Sequence, residues 1–247
     1  MKKNLDIVIT MAGLGTRFKK AGYPEPKYMI NVKGHTLFEW SMFSLKGYSP
    51  IVSHYIFIVR KENDVRQFID SQCKKLGIGE YHIIELDYLT DGQATTAMLA
   101  NGIWNQEHRL LIYNIDTYVE PGELHYNQLR GCGFIPCFNG QGEHWSFVRI
   151  DANEKALEVR EKCRISSHCT LGAYYFETCR IYEELYHRYY KNNIGLEKGE
   201  KYIAPMYNDL IEKGKDVYIC DIDGRKVHAL GTPEELDVFR ETAGVNG

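Results

Sequence analysis

Apolar positions recur along the chain in two rhythms. Leu5–Thr10 is a β-branched apolar run that ends in a glycine-rich segment, and a helical pattern follows over 36–45. Strand, loop and helix are therefore predicted in that order. The alternation continues with a strand at 54–60, an amphipathic helix at 64–76, a strand at Tyr81–Leu86, a helix at 93–104 and a strand at 110–115. Strands separated by helices of this length predict βαβ units and a mainly parallel sheet with right-handed crossovers. Beyond residue 120 the rhythm shortens to strands at Gly133–Phe138, Ser146–Ile150, 157–161 and 171–176, mixed with turn residues. Helices are predicted over 177–190 and 204–213, and a hairpin over 216–230 turning at Asp223-Gly224. A last helix begins at Thr232-Pro233-Glu234-Glu235, where Thr is an N-cap, Pro fits the first turn and the acids suit the helix dipole.

Composition narrows the class. The chain has 247 residues, 44% of them hydrophobic, enough to bury the core of one α/β domain. A formal charge of −3 gives no basic field for a polyphosphate backbone or an anionic membrane surface, so neither nucleic acid nor membrane is an expected partner. The first apolar run is too short for a signal segment or a membrane span, which places the protein in the cytoplasm. Seven cysteines without a Cys-x-x-Cys pair argue against both a disulfide framework and a zinc site, and most read as small buried apolar residues. The nine histidines show no His-x-x-x-His spacing. A homo-oligomer is left open.

The chemistry concentrates just after the first strand. Met11-Ala12-Gly13-Leu14-Gly15-Thr16-Arg17-Phe18 sits where an open α/β sheet binds ligands, and Tyr23-Pro24-Glu25-Pro26-Lys27 follows. Two close glycines let backbone N–H groups approach a phosphate, and Arg17 and Lys27 can neutralise its oxygens. Phe18 stands where a dinucleotide fingerprint needs glycine, and no Gly-Lys-Ser/Thr follows to make a P-loop. Asp116 ends the apolar run of the fourth strand, an edge position suited to Mg²⁺, which prefers hard oxygen ligands.

The string from Met11 to Trp40 resembles the signature of the sugar-phosphate nucleotidyltransferases. The likeness continues through Asp91-Gly92-Gln93-Ala94, Asn114-Ile115-Asp116, Val159-Arg160-Glu161-Lys162, Gly172-Ala173-Tyr174-Tyr175-Phe176 and Leu230-Gly231-Thr232-Pro233-Glu234. It spans nearly the whole chain in the family's order. The resemblance implies a single Rossmann-like (GT-A-like) three-layer α/β sandwich, residues 1–247, with about 1–120 holding the nucleotide and about 121–247 the acceptor. It further implies Mg²⁺, a nucleoside triphosphate and a small phosphorylated acceptor as partners, with pyrophosphate released.

By the same resemblance Gly13, Gly15 and Arg17 hold the triphosphate, Lys27 lies nearer the reacting phosphates, and Gly92, Gln93 and Ala94 read the base. Glu161 and Lys162 match the family's pair beside the acceptor, with Lys162 on the attacking phosphate, and Tyr174, Glu200 and Tyr202 are further candidates for the acceptor pocket. Asp116 is the metal ligand. The family's second acidic ligand precedes its late Gly-Thr, but Ala229 stands there, leaving waters and phosphates, Asp221 or Asp223 to complete the set. Within the family the chain looks most like the short cytidylyltransferases of capsule assembly, acting on phosphocholine or phosphoglutamine. A hexose 1-phosphate acceptor with UTP, dTTP or GTP is the alternative. A GT-A glycosyltransferase would need Asp-x-Asp where Asn114-Ile115-Asp116 stands, and Ala229 also raises a nucleotide-binding regulator without catalysis.

Overall fold

A computed structural model describes residues 2–193 and 195–242. Strand β1 (Leu5–Thr10) leads to a short helix α1 (Thr16–Lys20), and β2 (Asn31–Val32) and β3 (His35–Thr36) form a small ribbon before α2 (Leu37–Phe43). Then come β4 (Val52–Arg60), α3 (Arg66–Leu76), β5 (Tyr81–Leu86), α4 (Gln93–Met98), β6 (Arg109–Asn114) and β7 (Thr117–Val119). The remainder holds β8 (Gly133–Phe138), β9 (Ser146–Ile150), β10 (Ala156–Glu161), β11 (Cys169–Thr170), β12 (Ala173–Phe176), α5 (Cys179–Tyr189), α6 (Tyr207–Glu212), β13 (Val217–Ile222), β14 (Val227–Ala229) and α7 (Pro233–Glu241).

One mixed sheet runs through both halves in the order β10-β9-β11-β8-β12-β6-β1-β4-β5, with β13 beside β8. Its longest ladders are parallel: β1 pairs with β4 and β6, β4 with β5, and β13 with β8. The shorter strands of the second half join antiparallel, starting where β12 meets β6.

Alternation along β1 explains the three layers. Leu5, Ile7 and Ile9 share a core with Phe38 and Met42 of α2 and Ile69 and Cys73 of α3. Val8, on the other face, shares one with Ala94 and Ala97 of α4, Tyr182 and Leu185 of α5 and Tyr207 and Leu210 of α6. The single-domain α/β sandwich with a mainly parallel mixed sheet is thus as the sequence predicts. No helix among the described residues is long and apolar enough to cross a membrane.

Helix starts follow the side chains. Thr36 and Glu39 make a reciprocal capping box on α2. Thr232 Oγ1 accepts the Glu235 N–H at 3.2 Å with Pro233 at the first position of α7, as expected.

Two expectations fail. Residues 216–230 are not a hairpin, because β13 enters the main sheet parallel to β8 while β14 pairs antiparallel with β7 in a separate ribbon. The Asp223 carboxylate accepts the Arg225 N–H at 3.0 Å and fixes a short 3₁₀ turn that carries the chain across. The strand expected over 171–176 is broken at Gly172, whose φ of +85° interrupts pairing and leaves β11 and β12 separate.

Candidate functional site

The carboxyl edge of β1 and β6 opens into a cleft made of two cavities that meet at Gln93, Asn114 and Asp116. The larger, about 450 Å³, is lined by residues 10–16, Lys27, Leu89, Thr90, Gly92 and Glu200. The smaller, about 220 Å³, is lined by Arg17, Trp145, Ser146, Glu161, Tyr174, Tyr202, Gly231 and Glu235 among others.

The turn between β1 and α1 needs its glycine at Gly15, which caps α1 at φ +62°, a left-handed conformation that side chains disfavour. Lys27 starts a 3₁₀ turn after Pro26, where the Met29 N–H is donated to the Pro26 carbonyl. That turn delivers the ammonium to Asp116 at 2.7 Å. Burial pushes the Asp116 carboxyl up, but Lys27 beside it and Arg17 farther off outweigh burial and hold it below the ordinary carboxylate range. It stays anionic at neutral pH and, with its side chain 30% exposed, faces the cleft.

A second carboxylate reaches the same place. The Leu230 N–H is donated to the Asp116 carbonyl at 2.8 Å, which ties the chain before α7 to the end of β6. A Cβ on Gly231 would stand 3.1 Å from Asp116 Oδ2 and 3.4 Å from Glu235 Oε2, so the glycine is where two carboxylates converge. Glu235 Oε2 accepts the Gly231 N–H at 2.8 Å, and its Oε1 lies 4.0 Å from His144 Nε2. The sequence reading saw Glu235 only as a first-turn acid. Asp223, expected as an alternative ligand, lines neither cavity: its carboxylate is paired with Arg225 at the turn it caps. Asp221 pairs with His168 at 2.9 Å. Ala229 does line the smaller cavity and offers no ligand.

Gly92 has φ +141°, and a Cβ there would come within 2.4–2.5 Å of the Lys201 backbone oxygen and nitrogen. Segments 91–94 and 200–202 are clamped together, with Lys201 N–H donated to the Asp91 carbonyl at 2.8 Å and Ala94 N–H to the Lys201 carbonyl at 3.0 Å. Lys201 Nζ also meets Asp91 at 2.8 Å. Ala94 is therefore buried and its N–H occupied, which removes it from direct contact with a ligand. The Gln93 amide donates to Thr10 Oγ1 at 3.1 Å and to Asn114 Oδ1, bracing the strand ends where the cavities meet.

The acceptor candidates form one interlocked group. Ser146 donates to Glu161, whose burial raises its pKa against the opposing pull of Ser146 and Lys162. Lys162 donates to the Tyr202 hydroxyl at 2.5 Å and sits 4.4 Å from that ring's centre. Tyr202 in turn donates to Glu200 at 2.5 Å. Tyr174 is buried, its hydroxyl 3.2 Å from Thr170 Oγ1. Glu200 lines the larger cavity rather than the smaller, and Lys162 lines neither, being held at the rim by Tyr202. Ser146, Trp145 and Thr170 line the smaller cavity and were not foreseen, since the start of β9 and the end of β11 meet there only in the folded second half.

A glycine turn with two cations lies at the carboxyl edge of a doubly covered sheet and faces an anionic aspartate, an arrangement suited to a phosphorylated ligand with a divalent cation. No family model matches the chain and no curated protein does. Among solved structures it is 35% identical to the nucleoside-diphosphate-sugar pyrophosphorylase from Vibrio cholerae RC9, with a TM-score of 0.87 over 96% of this chain and 100% of that one. The chain belongs to that family, the sugar-phosphate nucleotidyltransferases. The fold is shared more widely. The inositol-1-phosphate CTP transferase from T. maritima superposes with a TM-score of 0.72 at 14% identity, covering 97% of this chain and 98% of its own. The CTP:phosphocholine cytidylyltransferase from Streptococcus pneumoniae does so with 0.73 at 17%, covering 96% and 98%.

Proposed function

We propose that this nucleotidyltransferase moves CMP from CTP onto a small phosphorylated acceptor, releasing pyrophosphate and yielding a CDP-linked precursor for a surface (capsular) polysaccharide. Glutamine phosphate is the acceptor we favour, and the cytoplasm the compartment. The observation that carries nucleotidyl transfer is the meeting of two cavities at Asp116, with Lys27 against it and Arg17 lining the smaller one. The choice of CTP draws on the two CTP-using neighbours and on the capsule-enzyme resemblance of the sequence.

Residues 1–120 supply the nucleotide side and 121–247 the acceptor side. Backbone N–H groups of 13–16 and the Arg17 guanidinium take the β- and γ-phosphates, and Lys27 neutralises charge nearest the α-phosphorus. Backbone groups of 90–93 face the base. On the other side Lys162, steadied by Tyr202, draws in the acceptor phosphate while Glu161 and Tyr174 border its body. An acceptor oxygen forms the new bond to the α-phosphorus as the bond to the β-phosphate bridge oxygen breaks, and the electron pair leaves on pyrophosphate. The acceptor phosphate is ionised at neutral pH, so no general base is required.

Asp116 and Glu235 fit a divalent cation of the Mg²⁺ type: two carboxylates converge beside Gly231, where even a Cβ would be tight against them, and both offer hard oxygens. These two would hold it, and when bound Mg²⁺ supplies positive charge between the enzyme's carboxylates and the substrate phosphates.

A pyrophosphate-release screen of four NTPs against sugar 1-phosphates, phosphocholine, polyol phosphates and amino-acid-derived phosphates tests the reading. Release with CTP and glutamine phosphate, absent with either alone, is the expected result. Release only with UTP, dTTP or GTP and a hexose 1-phosphate would overturn the base and acceptor while leaving the transfer chemistry standing. Silence across the panel would overturn both.

A further inference from the structure

We propose that Asp6, His54 and His108 form a binding site for a transition-metal dication of the zinc type, at the edge of the sheet opposite the cleft. Asp6 is the second residue of β1, His54 stands opposite it in register on β4, and His108 lies just before β6, two residues from Leu110, the partner of Asp6 on that side. Asp6 and His54 share the strand parity of Val8 and Ile56, which pack on the face covered by α4 and α5, and His108 reaches Asp6 from the turn before β6.

The Nδ1 atoms of both imidazoles lie 3.2 Å from Asp6 Oδ1, and one ligand atom from each residue lies within 4.8 Å of the other two. A tetrahedral zinc ion, with N and O ligands about 2.0–2.1 Å away, holds its ligand atoms roughly 3.3 Å apart. Both imidazole–carboxylate separations, 3.2 Å, match that value. Two imidazoles and one carboxylate are also a donor set that selects zinc-type ions over the oxygen-loving Mg²⁺ of the cleft.

Charge supplies the second argument. Asp6 is fully buried, and among the described residues no Lys or Arg pairs with it; its contacts are the two rings and the Asn105 N–H at 2.9 Å. Two imidazole nitrogens and one backbone N–H thus surround a fully buried carboxylate that has no lysine or arginine beside it among the described residues. A dication held by Asp6 and one nitrogen of each imidazole, the ring proton residing on the other nitrogen, would set positive charge beside the buried carboxylate and tie β1, β4 and the entry to β6 together. His54 and His108 keep 33% and 17% side-chain exposure, which gives an ion a way in.

Protein purified with chelator and then titrated with Zn²⁺ against a chromophoric competitor should take up one equivalent that His54→Ala/His108→Ala does not, and its Tm should rise by several degrees at a hundredfold excess over Kd. Equal uptake and equal Tm response in both proteins would overturn the site. Co²⁺ keeps the test sound should the double variant misfold: the wild type should develop the visible absorption of four-coordinate cobalt with nitrogen and oxygen ligands, and a spectrum of free hydrated cobalt alone would refute the proposal. Mg²⁺-dependent pyrophosphate release should be unchanged in the double variant, since neither histidine lines the cleft.

Discussion

The two cavities that meet at Asp116 are built on opposite plans. The larger, where we place the nucleotide, is built around a glycine turn, a lysine after a proline, and a glycine pressed against Lys201. The smaller, where we place the acceptor, is lined by interlocked side chains, Ser146 on Glu161 and Tyr174 on Thr170, with Tyr202 joining it to Lys162 at the rim and to Glu200 of the larger cavity. A backbone cradle recognises what all triphosphates share, whereas a side-chain lattice can be altered residue by residue to admit a different acceptor. The contrast gives each side its own failure mode: changes on the first should abolish turnover, and changes on the second should redistribute affinity.

The sharpest break is Asp116→Asn. It keeps shape but removes the charge that Lys27 faces, so Mg²⁺-dependent turnover should fall by roughly 10³-fold or more while the Tm moves by only a few degrees. Turnover within tenfold of wild type would end the metal role assigned to this residue. Gly92→Ala should come next, because the new Cβ must push into the Lys201 backbone at an unfavourable φ. A loss of about 2–4 kcal/mol is expected from overpacking and strain together, read by urea denaturation, with the apparent KM for the triphosphate rising. Unchanged stability would show that the 91–94 and 200–202 segments separate easily.

Glu235→Gln tests the second carboxylate. The Mg²⁺ concentration for half-maximal activity should rise by about tenfold with the fold intact, since the amide oxygen can still accept the Gly231 N–H. No change in Mg²⁺ dependence would reduce Glu235 to a helix cap. Glu161→Gln has the smallest and most diagnostic effect, raising the acceptor KM severalfold but leaving kcat and triphosphate KM nearly untouched. Its pKa is raised by burial, so the native state binds that proton more tightly than the unfolded chain does, and stability falls as pH rises past about 4.5. At neutral pH the Gln variant should therefore be the more stable protein, read as a higher Tm in thermal denaturation. A loss of stability instead would mean that the Ser146 and Lys162 contacts outweigh burial.

The same contrast explains what could be read in advance. The nucleotide side lies largely in contiguous stretches, so glycine spacing, Pro26-Lys27 and the apolar run ending at Asp116 announce it in the sequence. The acceptor side depends on which turns the antiparallel strands bring together, and no local pattern carries that. Glu235 shows why: its proximity to Asp116 comes from the Leu230 N–H bonding the Asp116 carbonyl, a contact between residues more than a hundred apart. The failed hairpin has the same origin, since a turn at Asp223-Gly224 is locally legible but the partners of β13 and β14 are not. One local clue does exist for Glu235, the glycine at 231 between Leu230 and the N-cap Thr232, where a Cβ would sit tightly against both carboxylates.

The central claim is nucleotidyl transfer between two phosphates, and ³¹P NMR of the reaction mixture tests it most directly. With CTP, the acceptor phosphate, Mg²⁺ and the wild-type protein, two coupled resonances of a diphosphate-linked product should grow in step with free pyrophosphate, and neither should appear with Asp116→Asn. Growth of CMP or inorganic phosphate with no linked product would contradict the account.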